Sequence, residues 1–452
     1  MFKIFGTDGV RCKVNVEPMT PDTCLKIAKT VGYLLTLKNK KKNRVIISKD
    51  TRLSGYLFEP LMTSGFISMG MDVIVVGPLP TPALPMLINS LRADIGVMIT
   101  ASHNTYEYNG LKFFDSKGRK ISRKLEIAIE EIVLNKKKYL EISNKSYNTG
   151  KAKRLEDAQG RYSESLKLSL DKTTNFKNTR VVLDCGNGAT YKIAPTLFWE
   201  LGSDVITINN EPNGKNINKN CGAINVNMLS KKVLETKSDI GFAFDGDGDR
   251  IIVVDNEGNE IDGDQIMALF AKVFKKNKTL SNKTVVATKM SNLGFEKYLK
   301  NELDINLIRT DVGDINVIEE MIKRSYNLGG EQSGHIILGD YNKTGDGILV
   351  ALKIMEILIK SSKKSNKLFN NFKPYFQIKE NLILNKIIKE KQKTSIKLLN
   401  NNYMRNKKHL RCLIRESGTE PLLRILVEGK DQIEVNKEIK IIKNKLENIL
   451  ND

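Results

Sequence analysis

Residues 96–104 read GVMITASHN, and the rest of the chain is organised around this stretch. Gly96 to Thr100 is a short apolar, β-branched run, which predicts a buried strand. It stops at Ala101, Ser102, His103 and Asn104, all small or polar. A hydroxyl at the carboxyl end of a buried strand stands where open α/β sheets place their ligands, so Ser102 is the first candidate nucleophile. The competing reading is a hydrogen-bonded turn made by Ser102 and Asn104. A protease-like triad fits poorly, because His103 is adjacent to Ser102 and no G-x-S-x-G elbow surrounds it.

Outward from this strand, similar patterns recur. Arg44 to Gly55 (RVIISKDTRLSG) and Asp72 to Val76 are strands, with a Pro-rich turn at 78–82 and helical stretches between. Strands alternating with helices predict a mostly parallel sheet with helices on its faces. The opening strand returns as RVVLDCGNGAT at 180–190 and TVVATKMSNLG at 284–294. The Ser102 strand, DIGVMIT at 94–100, is echoed by DIGFAFD at 239–245 and more weakly by YNLGGE at 326–331. Three related α/β units are expected, each ending one strand in a polar loop, and three such loops can converge on one site. Past Leu358 the polar stretch KSSKKSNK (360–367) reads as a linker. A smaller unit follows, with a strand at Leu423–Glu428 and an amphipathic helix from about Ile433 to Ile449.

A chain of 452 residues is too long for one ordinary core, so three or four domains are expected. Its 40% hydrophobic and 28% charged residues suit a soluble globular protein. No apolar run approaches the ~20 residues needed to cross a bilayer, and MFKIFGTDGVR has no apolar core of signal-peptide length. A cytoplasmic enzyme is expected. Cys12, Cys24, Cys185, Cys221 and Cys412 are scattered, with no C-x-x-C pair, and read as reduced core-filling thiols. The net charge of +21 raises the possibility of nucleic-acid binding. Its distribution argues otherwise: the lysine patches Lys38–Arg44, Lys136–Lys138 and Lys360–Lys367 lack interleaved aromatics and read as solvated surface. A positive field would still gather an anionic substrate.

Each polar loop has its own chemistry. Asp245-Gly246-Asp247-Gly248-Asp249-Arg250 can turn three carboxylates toward one point, as a hard divalent cation requires. An EF-hand is excluded, since its sixth position would be Arg250 and its twelfth Asn256. Mg²⁺ suits this loop, completed by a phosphate oxygen carried on Ser102. Gly330 to His335 (GEQSGH) offers a carboxylate, an amide, a hydroxyl and an imidazole, an inventory for sugar hydroxyls. Arg415 to Thr419, with Arg424, combines guanidinium groups and tight-turn residues that can seat a phosphate. His409, in the basic stretch 405–411, is read as a surface residue. Together the loops suggest phosphoryl transfer, which depends on positioning and charge neutralisation.

TASHN (100–104), DGDGDR (245–250), GEQSGH (330–335) and RESGTEPLLR (415–424) follow the order and spacing of the α-D-phosphohexomutase superfamily. The resemblance covers essentially the whole chain. The opening FGTDGVR (5–11), GEQSGH and RESGTEP most resemble its bacterial phosphoglucosamine mutase branch. The resemblance implies three related α/β mixed-sheet domains plus a smaller C-terminal α+β domain around a central cleft, divided as 1–158, 159–258, 259–366 and 367–452. It implies interconversion of glucosamine 6-phosphate and glucosamine 1-phosphate through a phosphoserine enzyme and glucosamine 1,6-bisphosphate, feeding UDP-N-acetylglucosamine and cell-wall synthesis. It also implies one Mg²⁺ per subunit, a hexosamine phosphate substrate, no nucleic-acid or membrane partner, and a monomer or homodimer.

By the same resemblance, Ser102 is phosphorylated in the active form and, with Asp245, Asp247 and Asp249, holds Mg²⁺. Arg11, His103, Asn104, Lys112 and Arg250 surround the transferring group. Glu331 and Ser333 bind sugar hydroxyls, with His335 a proton carrier. Arg415, Ser417, Gly418, Thr419 and Arg424 hold the phosphate that is not reacting. One position departs from the pattern: relatives usually carry a base where this chain has Ile315, in Val312-Gly313-Asp314-Ile315, and Asp311 is acidic where they often have a base. Lys289 is the candidate substitute. With nucleophile, metal loop and clamp intact, activity is expected. The alternatives are a phosphomannomutase or phosphoglucomutase of the same fold, a silent sugar-phosphate binder, and a basic nucleic-acid-binding protein.

Overall fold

The computed structural model describes residues 4–6, 8–36, 43–143, 147–384, 388, 390–406, 410–416 and 422–451. The first unit is a six-stranded sheet built from β1 (Val10–Lys13), β2 (Arg44–Lys49), β3 (Asp72–Pro78), β4 (Ile95–Ile99), β5 (Tyr108–Asp115) and β6 (Ala152–Arg154), in the order β1-β5-β4-β2-β3-β6. The second contains β7 (Arg180–Asp184), β8 (Asp204–Ile208), β9 (Ile240–Phe244), β10 (Ile251–Asp255) and β11 (Glu260–Ile261), ordered β11-β10-β9-β7-β8. The third contains β12 (Thr284–Thr288), β13 (Asn306–Thr310), β14 (Leu328–Gly330) and β15 (Ile336–Leu338), ordered β13-β12-β14-β15.

The expected repeat is therefore real. Each unit carries the same four-strand motif, β5-β4-β2-β3, β10-β9-β7-β8 and β15-β14-β12-β13, with its first listed strand antiparallel to the next and the others parallel. The same bond opens the third strand in two of them. Arg44 N–H donates to Asp94 Oδ2 at 2.8 Å and Arg180 N–H to Asp239 Oδ2 at 2.8 Å. In the third unit, Ser281 N–H donates to Asn327 Oδ1 at 3.0 Å.

Side chains alternate between the two faces of each strand. Ile46, Met98, Leu183, Phe242, Val285 and Ala287 point into one core shared by all three units. Val45, Ile47 and Val97 face the opposite way, onto Cys24, Ile27, Phe58 and Phe66 of the helices Pro21–Thr36 and Gly55–Ser68. Sheets buried on both faces explain why the strands read as continuous apolar runs.

The fourth unit is an antiparallel sheet of β16 (Phe376–Ile383), β17 (Leu410–Glu416) and β18 (Leu422–Gly429), ordered β16-β18-β17, with helices Glu390–Asn406 and Gln432–Asn451. Its core is its own, with Leu423, Ile425 and Val427 packed on Val435, Ile439 and Leu446. Polar contacts join it to the third unit. Buried Glu428 pairs with Arg411 at 2.7 Å and accepts from Leu293 N–H at 3.2 Å.

The linker reading of Lys360–Lys367 needs correction. The helix Gly347–Ser361 runs into it, and a second helix, Ser365–Phe369, begins within it. Ser365 is buried, donating to Asp239 O at 2.6 Å, and Leu368 and Phe369 join the shared core. Polar composition hid a helix that is docked on the second unit. All five cysteines are free, four of them buried. Among the described residues no helix is long and apolar enough to cross a membrane.

Candidate active site

Three equivalent strands, β4, β9 and β14, end in the loops that carry Ser102, Asp245 and Glu331. The repeat thus delivers a hydroxyl, an acidic loop and the polar loop 330–335 to one place. Ser102 is buried, with φ of 49°, a left-handed conformation uncommon for a residue with a side chain. Its hydroxyl donates to Asp245 Oδ2 at 2.7 Å. His103 Nδ1 lies 3.5 Å from Ser102 Oγ. Burial, with Arg250 and Arg11 nearby, pushes the His103 pKa down to about 3, so its ring is neutral at physiological pH.

Asp245, Asp247 and Asp249 are all buried, and each offers an oxygen within 4.8 Å of the others'. Burial and the two neighbouring carboxylates raise the Asp245 pKa well above the usual range. Lys112, brought in by β5, stands 2.9 Å from Asp247 Oδ2, 2.9 Å from Asp249 Oδ2 and 3.2 Å from Asp8. Thr81 Oγ1 donates to Asp247 Oδ2 at 2.6 Å. Asp247 Oδ1 and Asp249 Oδ1 remain buried without a hydrogen-bond partner. Orphaned anionic oxygens at a point where carboxylates converge fit a divalent cation with oxygen ligands. Gly246 permits the approach, since a Cβ there would stand 2.7 Å from the Ser102 carbonyl.

Arg250 follows directly, and its N–H donates to Asp245 Oδ1 at 3.1 Å. Burial would lower its pKa, but Asp249, Asp245 and Glu331 outweigh that and raise it. Arg11 reaches Asp8 at 2.8 Å and Asn104 Oδ1 at 3.2 Å. Glu331 is buried and accepts from Gly313 N–H at 3.2 Å; Ser333 is exposed. His335 is buried, its Nε2 3.5 Å from Asp314 Oδ2 and neither ring nitrogen hydrogen-bonded. Arg415, on β17, lies opposite Arg424 on β18. Burial and Arg424 lower the Arg415 pKa against the opposing pull of Glu331. Ser417, Gly418, Thr419 and His409 lie outside the described residues.

The Ile315 side chain lines a small crevice with Asp8, Lys112, Phe113 and Lys120 of the first unit. Lys289 is half-exposed and paired with Asp311 at 2.6 Å.

Several site residues escaped sequence reasoning. Asp8 gathers Arg11, Lys112 and Lys120, and Lys120 crosses to Asp314 at 2.6 Å, joining first and third units. Asp50, Arg52 and Asn218 hold the Ser102 loop from behind. The DTR run after β2 was the available signal for two of them; Asn218 had none.

Known proteins share this organisation. Four family models match in order: phosphoglucomutase/phosphomannomutase α/β/α domain I at residues 3–140, domain II at 160–258, domain III at 262–375 and the C-terminal domain at 386–444. The chain is 46% identical over 430 residues to the phosphoglucosamine mutase of Parvibaculum lavamentivorans, covering 95% of each. It is 46% identical over 452 residues to that of Thermodesulfovibrio yellowstonii, covering 99% of each. A crystal structure of a phosphoglucomutase/phosphomannomutase family protein from Burkholderia thailandensis superposes with a TM-score of 0.81 at 22% identity, covering 99% of this chain and 97% of that one. With four domains matched in order and near-full-length similarity to phosphoglucosamine mutases, this chain belongs to the phosphoglucosamine mutase branch of the phosphohexomutase superfamily.

Proposed function

We propose that the chain interconverts glucosamine 6-phosphate and glucosamine 1-phosphate, with Ser102 carrying the phosphoryl group between them. The observation that supports this most is the Ser102 hydroxyl held 2.7 Å from Asp245 where the polar loops of the repeated units meet.

A sugar hydroxyl attacks the phosphorus of phosphoserine 102. A new sugar O–P bond forms, the Ser102 Oγ–P bond breaks, and glucosamine 1,6-bisphosphate results. Reoriented, the bisphosphate gives its other phosphoryl group back: the second sugar O–P bond breaks as a new Ser102 Oγ–P bond forms. The Oγ proton leaves toward Asp245 Oδ2, the departing sugar oxygen takes up a proton in turn, and the isomeric glucosamine phosphate is released. His335 and Glu331 line the sugar side, where the attacking hydroxyl loses its proton. Arg11, His103, Asn104, Lys112 and Arg250 surround the transferring group with donors and positive charge. Asp245, Asp247, Asp249 and a phosphoserine oxygen would hold Mg²⁺, which when bound neutralises charge developing on the phosphoryl oxygens. Arg415 and Arg424, with Ser417, Gly418 and Thr419 between them in the sequence, would hold the distal phosphate, and Ser333 with Glu331 the sugar hydroxyls, so one site reads both orientations. Lys112 and Lys120 keep positive charge beside Ile315, which supports activity despite the lost base.

Initial rates on the 6-phosphates of glucosamine, glucose and mannose, with Mg²⁺ and a bisphosphate primer, test this. A preference for the glucosamine ester, abolished by Ser102→Ala, is expected. A preference for another sugar overturns the substrate, and no turnover overturns the reaction.

A further inference from the structure

The main chain of Ser102 is held from both sides. Its N–H donates to Thr100 Oγ1 at 2.9 Å, and the Thr100 hydroxyl donates to Asp50 Oδ2 at 2.7 Å. Its carbonyl accepts from Arg52 Nη2 at 2.9 Å and Asn218 Nδ2 at 2.8 Å. Both donors reach on to the Asn104 carbonyl, at 2.8 and 3.0 Å. Arg52 is 1% exposed, pairs with Asp50 through Nε at 2.8 Å, and spends its remaining N–H on the carbonyls of Thr105 and Tyr108.

Asn218 comes from the second unit and is itself anchored there. Its N–H donates to Gly186 O at 2.9 Å, and Gly186 packs so closely on the Phe244 carbonyl that a Cβ would stand 2.9 Å away. Phe244 immediately precedes Asp245. The nucleophile loop and the acidic loop are therefore registered against each other through Asn218, independently of the contact between their side chains.

That independence matters during turnover. The Ser102–Asp245 hydrogen bond uses the hydroxyl proton, which is absent once Oγ carries a phosphoryl group. The phosphoserine then presents about two negative charges to neighbouring carboxylates. The clamp uses only backbone atoms of Ser102, so phosphorylation of Oγ removes none of its donors or acceptors. A left-handed residue persists only where its surroundings over-determine it.

We infer that Asn218 and Arg52, with Thr100 and Asp50 behind them, are positioning residues that hold Ser102 in register with the acidic loop while it carries the phosphoryl group. This rests on the phosphoserine reading above.

The test compares full-length wild type with Asn218→Ala and Thr100→Val, using Mg²⁺, a bisphosphate primer and whichever of the three sugar 6-phosphates wild type turns over fastest. In each variant kcat falls by about tenfold or more while KM stays within about threefold, as expected for misplaced reacting groups. Melting temperatures of the unphosphorylated chains stay close to wild type. Either variant showing this split supports the inference, and Thr100→Val serves if Asn218→Ala fails to fold. Unchanged kcat, or a loss that enters through KM or follows the melting temperature, overturns it. Wild type preferring another sugar overturns only the substrate assignment, and wild type inactive on all three overturns both.

Discussion

Arg415 and Arg424 face each other as a directly opposed pair across β17 and β18. Like charges opposed in an antiparallel ladder repel, and an anion seated between them would offset that repulsion. Arg415 Nε is also buried without a hydrogen-bond partner. Two guanidinium groups so placed can share one phosphate, and the resemblance assigns them the phosphate that is not reacting. Arg415→Ala should raise KM by about tenfold or more for glucosamine 6-phosphate and for glucosamine 1-phosphate alike, with a smaller effect on kcat. Steady-state kinetics in both directions checks this, and an effect confined to one substrate would separate the clamp from the two-orientation cycle.

Asp245 tests the metal assignment. Burial beside Asp249 and Asp247 raises its pKa well above the usual range, so ionising it is unfavourable when no cation is bound. In a chelator, Asp245→Asn should therefore melt no lower than wild type. Added Mg²⁺ should stabilise wild type by an amount that grows with the logarithm of its concentration above Kd and leave the variant unmoved, with mutase activity down by about a hundredfold or more. Thermal melts with and without Mg²⁺ read the first effect. An equal Mg²⁺ response in both chains would place the cation elsewhere.

Gly334 ties the loop 330–335 to the second unit. Its φ is 89°, its carbonyl accepts from Ile251 N–H at 3.0 Å, and a Cβ would stand 2.1 Å from the Ile251 carbonyl. Gly334→Ala adds both strain and a backbone clash, so a loss of about 2 kcal/mol or more is expected. The displaced loop carries Glu331 and His335, so KM should rise as well. Urea unfolding and kinetics together check it, and normal values of both would mean that the two backbones separate freely.

How much the sequence revealed depends on how local the relevant contacts are. Asp94 and Asp239 make the same bond at the head of β4 and β9, and their flanking residues read alike. At the third repeat Asn327 replaces the carboxylate, which is why that echo is faint. The acidic loop was legible because its three carboxylates alternate with glycine within six residues. Arg52 and Asn218 were not, because the carbonyl they hold lies 50 and 116 residues away in the chain. Lys120 and Asp314 meet across 194 residues for the same reason. The KSSKKSNK stretch was misread because Ser365 is buried by contacts with Asp239 and Asn256, which composition cannot register.

Asp264 carries a pH dependence that can be read away from the acidic loop. It lies in the first turn of the helix Gly263–Lys276, fully buried, with Oδ2 accepting from Asn292 N–H at 2.7 Å. Burial, reinforced by Asp262, pushes its pKa from 3.8 up to about 7. A folded-state pKa above the unfolded value means that the folded chain holds the proton more tightly. The stabilisation is full below the unfolded pKa and disappears as pH rises through the folded one. Asp264→Asn has no proton to lose there. The melting temperature of the variant minus that of wild type should thus rise steadily between pH 3.8 and about 7 and level off above it. Melts across that range decide the matter: a flat difference would mean that Asp264 ionises as readily in the folded chain as in the unfolded one, and a falling difference would reverse the sign of its burial cost.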